Sequence, residues 1–154
     1  MADYLRDELG KLLNQHDEQR RAVLAREQKV KDDDALFVAG FADLRRSVIR
    51  PAFETAAAML AERGHKVTIA EQEFSVGAGA KVTEAEISLR IVVSGAKEEN
   101  ARAFAISTRH YNKTVLINAG KPLEGKTGTY ALENIDRHRV EEELVRFVAG
   151  IVAG

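Results

Sequence analysis

Apolar and polar positions change their rhythm twice along the chain. From residue 3 to 63 they recur every three or four residues, in a stretch rich in Ala, Leu, Arg and Glu with only two Gly and one Pro. That is the period of helices packed along one face. From 65 to 132 the period drops to two, among Thr, Val, Ile and Gly, as in half-buried strands. From 137 to 152 the helical period returns.

The first helical stretch carries Leu5, Leu9, Leu12, His16, Gln19, Val23, Arg26 and Val30 at alternating spacings of four and three. This is a heptad-like seam, apolar at its start and polar in its middle, and Leu13 and Leu24 widen it. Asp3 suits the N-cap, and Asp7 and Lys11 are spaced to pair across one turn. Asp32, Asp33 and Asp34 are expected to break the helix and cap a second one. The second helix has a wider stripe: Leu36, Phe37, Phe41, Leu44, Val48, Ile49, Phe53, Ala56, Ala57 and Leu60. Pro51 interrupts it without shifting the stripe, which predicts a kink over 47–50 rather than an end. Gly64 is placed to terminate it.

Val67 and Ile69 begin the strands, and Gly77 and Gly79 mark a turn. Ala85, Ile87, Leu89, Ile91 and Val93 alternate with Glu84, Glu86, Ser88 and Arg90, the cleanest strand pattern in the chain. A loop over 94–100 leads to a strand with Arg102, Phe104, Ile106 and Thr108 on one face. Residues 114–118 and 129–132 supply two more strands. The connections are too short for crossover helices, so the sheet should be antiparallel. Asp136 caps a last helix striped by Val140, Leu144, Phe147, Val148 and Ile151. The expected architecture is a single α+β domain over 1–154: an N-terminal helical hairpin (3–63), a four- to five-stranded antiparallel sheet (65–132) and a C-terminal helix (137–152).

Composition adds exclusions. At 154 residues, with 45% apolar and 31% charged positions, the chain can build a core without staples. It has no Cys, so disulfides, thiol nucleophiles and Cys-ligated metals are out. No apolar run approaches the roughly 18 residues of a membrane span, and the first residues carry no secretory pattern, so a cytoplasmic protein is expected. A net charge of −1 argues against a dedicated nucleic-acid reader.

Candidate chemistry is thin. Gly120-Lys121-Pro122-Leu123-Glu124-Gly125-Lys126-Thr127 fits the phosphate-loop pattern G-x-x-x-x-G-K-[ST] and follows a strand. Such a loop should open into a helix, whereas the strand-like Gly128-Thr129-Tyr130-Ala131-Leu132 comes next, and Pro122 withdraws a backbone donor. A Gly-rich connection between strands, or an anion cradle using Lys126 and Thr127, accounts for it better than nucleotide hydrolysis. His16, His65, His110 and His138 show no metal-ligand spacing. Arg109, His110 and Tyr111 form the most site-like cluster, at a strand end running on to Lys113. Arg20, Arg21, Arg45, Arg46 and Arg50 could present phosphate-binding charge, but Asp17, Glu18, Glu27 and Asp43 dilute it.

No catalytic set converges and no cofactor or metal is implied. The leading expectation is therefore a small non-enzymatic interaction, adaptor or regulatory protein. It would act through protein contacts, as a homodimer, using Leu5, Leu9, Leu12, His16, Gln19 and Val23. The alternative is a ligand- or anion-binding domain, enzymatic or not, built from Arg109, His110, Tyr111, Lys126 and Thr127. Nucleic-acid binding through the arm's arginines ranks third.

Overall fold

The computed structural model describes residues 2–119 and 128–152. The chain divides into two units, 1–36 and 37–154.

Helix α1 (Ala2–Leu44) runs without interruption through the three aspartates, so the expected break at 32–34 and the helical hairpin built on it do not form. An Asp favours a cap, but in a helix interior it costs at most about 0.7 kcal/mol relative to Ala. Neither Gly nor Pro stands nearby to stop the helix, and Gln28 donates across one turn to Asp32 at 3.0 Å. Within the first unit Lys11 meets Glu8 at 3.6 Å.

In the second unit α1 ends at Leu44 and gives way to a π-helical turn, Arg45–Ile49, and then to α2 (Arg50–Glu62). The Arg50 N–H reaches back five residues to the Arg45 carbonyl. This is the form the expected kink takes. Pro51 lacks the N–H that would bond residue 47, and its ring crowds that carbonyl, so the helix inserts one residue there. Gly64, at φ +88°, closes α2, with His65 N–H bonded to the Leu60 carbonyl.

Five strands form one antiparallel sheet in the order β1-β4-β5-β6-β7: β1 (Lys66–Gln72), β4 (Glu86–Val92), β5 (Arg102–Arg109), β6 (Thr114–Asn118) and β7 (Thr129–Ala131). A small ribbon of β2 (Ser75–Val76) and β3 (Val82–Thr83), not foreseen from the sequence, flanks the turn at Gly79. Register places Leu89 beside both Ile69 and Phe104, and Ile106 beside both Ile87 and Ile117. One face is thus continuously apolar.

Helices α2 and α3 (Arg137–Val152) pack on that face. The Asp136 carboxylate caps α3, accepting from Arg139 N–H at 2.8 Å. Phe41, Ile49 and Phe53 from the helical side, and Val140, Leu144 and Phe147 from α3, close over Ile87, Leu89, Phe104, Ile106, Val115 and Ile117. Phe104 sits between the helices, with ring centroids 5.6 Å from Phe53 and 5.4 Å from Phe147. Each such fully buried side chain contributes about 1.5–3 kcal/mol. Among the described residues no helix is long and apolar enough to cross a membrane.

Candidate functional site

Two regions gather the residues singled out by sequence, one in each unit.

The first lies on α1. A helix of 3.6 residues per turn brings positions spaced by four and three onto one stripe. Leu5, Leu9, Leu12, His16, Gln19 and Val23 all lie on this stripe, and every one of them is exposed. Leu5 keeps 61% of its surface, Leu12 60% and Val23 48%; Leu13, Leu24 and Val30 are exposed as well. Isolated apolar side chains on a surface are ordinary, but a file of them along about 38 Å of helix is an unpartnered face.

The second is the end of β5 in the folded unit. Thr108 is buried, and its Oγ1 accepts from Ala85 N–H at 2.9 Å while Thr108 N–H donates to the Ala85 carbonyl at 2.9 Å. These two hydrogen bonds between β5 and the lead-in of β4 set Glu84 beside the next turn. The Glu84 carboxylate accepts from His110 N–H at 3.2 Å, lies 3.0 Å from His110 Nδ1 and lies 3.3 Å from Thr108 Oγ1. A carboxylate offers only acceptors, so Nδ1 is the donor in this contact. Phe74 meets the imidazole edge-on at 5.7 Å. Arg109 Nη1 donates to Tyr111 Oη at 3.0 Å, and Lys113, at φ +56°, donates from Nζ to the His110 carbonyl at 2.7 Å. Glu84 and His110 each keep 27% of their side-chain surface.

Arg109, His110 and Tyr111, consecutive in sequence, stand at the end of β5 with His110 and Tyr111 edge-on at 6.0 Å. Glu84, which anchors His110, passes in sequence for one more polar position of an alternating strand. The cluster orients the His110 imidazole through Glu84. Its one buried hydroxyl, on Thr108, is occupied with Ala85 and Glu84 and is not placed as a nucleophile. Lys126 and Thr127, with the whole of 120–127, lie outside the described residues. Among the described residues no group of three or more His, Asp or Glu could hold a metal ion.

The arginines of the second helical stretch are matched by carboxylates. Arg45 is buried, with Nε 3.3 Å from Glu71, Nη2 2.7 Å from Glu73 and Nη1 3.2 Å from the Gln72 carbonyl. Arg50 pairs with Glu54 at 2.9 Å and Glu71 at 3.4 Å, and Arg46 with Asp43 at 2.9 Å. The Glu54 contact first, then Glu71, raises the Arg50 pKa. Three of the five arginines of the supposed phosphate surface are thus paired with carboxylates of the same chain, Arg45 in a buried position and Arg46 at the surface.

Comparison with protein-family models, with curated proteins and with solved structures finds no match for this chain. The functional reading rests on the geometry alone.

One further feature of the folded unit escapes the sequence. Between α2 and α3 runs an apolar groove of about 560 Å³, lined by Ala56, Met59, Leu60, Leu144, Val145 and Val148 among others. Val145 falls off the α3 stripe read from the sequence, and it is 68% exposed. An apolar residue on the polar side of an amphipathic helix was the available signal.

Proposed function

We propose that this chain is a non-enzymatic, cytoplasmic interaction protein that self-associates through the seam of α1 and so presents its α+β unit in pairs, as an adaptor or regulatory subunit. The observation that supports this is the exposed file Leu5, Leu9, Leu12 and Val23 on an uninterrupted helix. A helix draws most of its stability from packing an apolar face, and an isolated one is marginal in water. The described residues of this unit, 2–36, are helix alone. A second copy offers the same stripe, and burying Leu or Val there is worth up to about 1.5–3 kcal/mol for each side chain.

Sedimentation equilibrium tests this directly. The native chain is expected to be dimeric at micromolar concentration, and the double variant Leu9→Glu, Leu12→Glu to be monomeric with the near-ultraviolet circular dichroism of the α+β unit unchanged. A native chain that stays monomeric up to hundreds of micromolar overturns the reading.

The Glu84–His110 arrangement favours a second reading, an anion- or small-ligand site at the strand end with Arg109 and Tyr111 beside it. Thermal-shift measurements with inorganic phosphate and nucleotides test it. A ligand shift that is lost in His110→Asn supports the cluster, and one lost in Lys126→Ala brings in the 120–127 segment. Equal melting with and without each ligand removes this reading.

A further inference from the structure

We infer that the α1 seam pairs with a second copy in antiparallel orientation, in one register, with its two-fold axis between Asp17 and Glu18. This rests on the self-association proposed above and specifies its geometry. In heptad terms Leu9, His16, Val23 and Val30 occupy the a positions, and Leu5, Leu12, Gln19 and Arg26 the d positions. Residues 6, 13, 20 and 27 then stand at e, and 8, 15, 22 and 29 at g. Antiparallel coiled coils pack a against d of the partner and set e beside e and g beside g.

With the axis between 17 and 18, the apolar seam residues meet one another. Leu5 packs on Val30 of the second copy and Leu12 on Val23. Leu9 faces the aliphatic stem of Arg26, whose guanidinium snorkels to water. His16 and Gln19 meet as a polar pair on each side of the axis, the kind of central layer that sets register at some expense of stability. The flanking charges also match. Arg6 stands beside Glu27 of the second copy and Glu8 beside Lys29, each pair occurring twice, and no like charges face each other. The paired stretch, 5–30, is about 38 Å long.

The alternatives are disfavoured by the same residues. In a parallel, in-register pair Arg26 stacks on Arg26 and His16 on His16. Its flanking pairs Glu8–Leu13, Gln15–Arg20 and Ala22–Glu27 join no opposite charges, leaving Lys29–Asp34 alone. Sliding the antiparallel pair by one heptad sets Arg6 against Arg20 in one direction and Arg20 against its own copy in the other. Charge complementarity thus selects one orientation and one register.

The chain has no cysteine, so introduced thiols report contacts cleanly. Leu5→Cys mixed with Val30→Cys is expected to form an oxidative cross-link, and Leu5→Cys alone is not. In sedimentation at low salt, Arg6→Glu and Glu27→Arg should each weaken the dimer roughly tenfold, since two pairs turn repulsive in each case. The double variant Arg6→Glu, Glu27→Arg should return to within about threefold of the native value, because swapping both members restores each pair. A dimer in which Leu5→Cys cross-links to itself, or in which the double swap is no better than the single ones, overturns the antiparallel register while leaving self-association intact. A monomeric native chain removes both.

Discussion

At the scale of single residues, the least expected feature is Arg45. On sequence it belongs to a surface row of arginines, yet its side chain is 9% exposed and is held by Glu71, Glu73 and the Gln72 carbonyl. It ties the π turn to the end of β1. The guanidinium is buried while Glu71 and Glu73 reach solvent, so its removal loses packing and hydrogen bonds and strands no buried charge; Arg45→Ala should destabilise the fold by about 1–3 kcal/mol in urea unfolding, and Arg45→Met by less, since it keeps the packing of the stem. Equal, small losses for both would show that Arg45 is solvated. A second pair, Lys66 with Glu98 at 2.6 Å, lies at the surface. The ammonium hydrogen bond, aided by its charge and that of Arg90, holds the Glu98 carboxyl below its ordinary range. A carboxyl whose folded-state pKa is depressed stabilises the fold above its unfolded pKa and loses that contribution as pH falls through the folded one. In a nuclear magnetic resonance titration, Lys66→Met should move the Glu98 midpoint upward, toward an unperturbed carboxyl. No movement would mean that the contact does not persist in water.

The elements show how a local defect serves packing. Phe37, Phe41, Arg45, Ile49 and Phe53 are all buried, at a constant spacing of four. In an unbroken α-helix that spacing drifts about 40° per step, about 160° over the set, which would carry Phe53 off the face of Phe37. The extra residue in the π turn removes about 100° of this drift and leaves all five on one side. Pro51 favours the turn but packing maintains it, so Pro51→Ala should keep the π turn and change stability by no more than about 1 kcal/mol. Deleting the exposed Arg46 in that background should give an ordinary helix with the same buried face. Such a variant should unfold cooperatively, within about 1.5 kcal/mol of native. Loss of cooperative unfolding would show that the turn itself, and not only the phase it corrects, is required.

At the scale of the whole molecule, the two units differ in what holds them. Residues 37–154 have a core of their own, centred on Phe104 between Phe53 and Phe147. Residues 2–36 are helix with an exposed apolar stripe. Mass action then predicts a protection that depends on concentration. In hydrogen exchange, amides over 5–30 should slow as protein concentration rises, while those of β4 and β5 should not change. Leu9→Glu, Leu12→Glu should abolish the dependence. Uniform protection of 5–30 at every concentration would indicate that the seam is satisfied within one chain.

Periodicity by itself determined the α+β class, the antiparallel sheet and its main strands, the caps at Asp136 and Gly64, and the heptad seam, because each follows from spacing along a short stretch of chain. It did not foresee the continuous helix through Asp32, Asp33 and Asp34, since a residue suited to capping stops nothing unless the chain also has a reason to turn. It marked Arg109, His110 and Tyr111 as a cluster but passed over Glu84, because strand pairing brings together residues 26 apart in sequence. The burial of Arg45, the groove between α2 and α3 and the pairing of the arginines were likewise decided only by tertiary structure. Each depends on which distant side chain stands opposite, and local spacing carries no record of that.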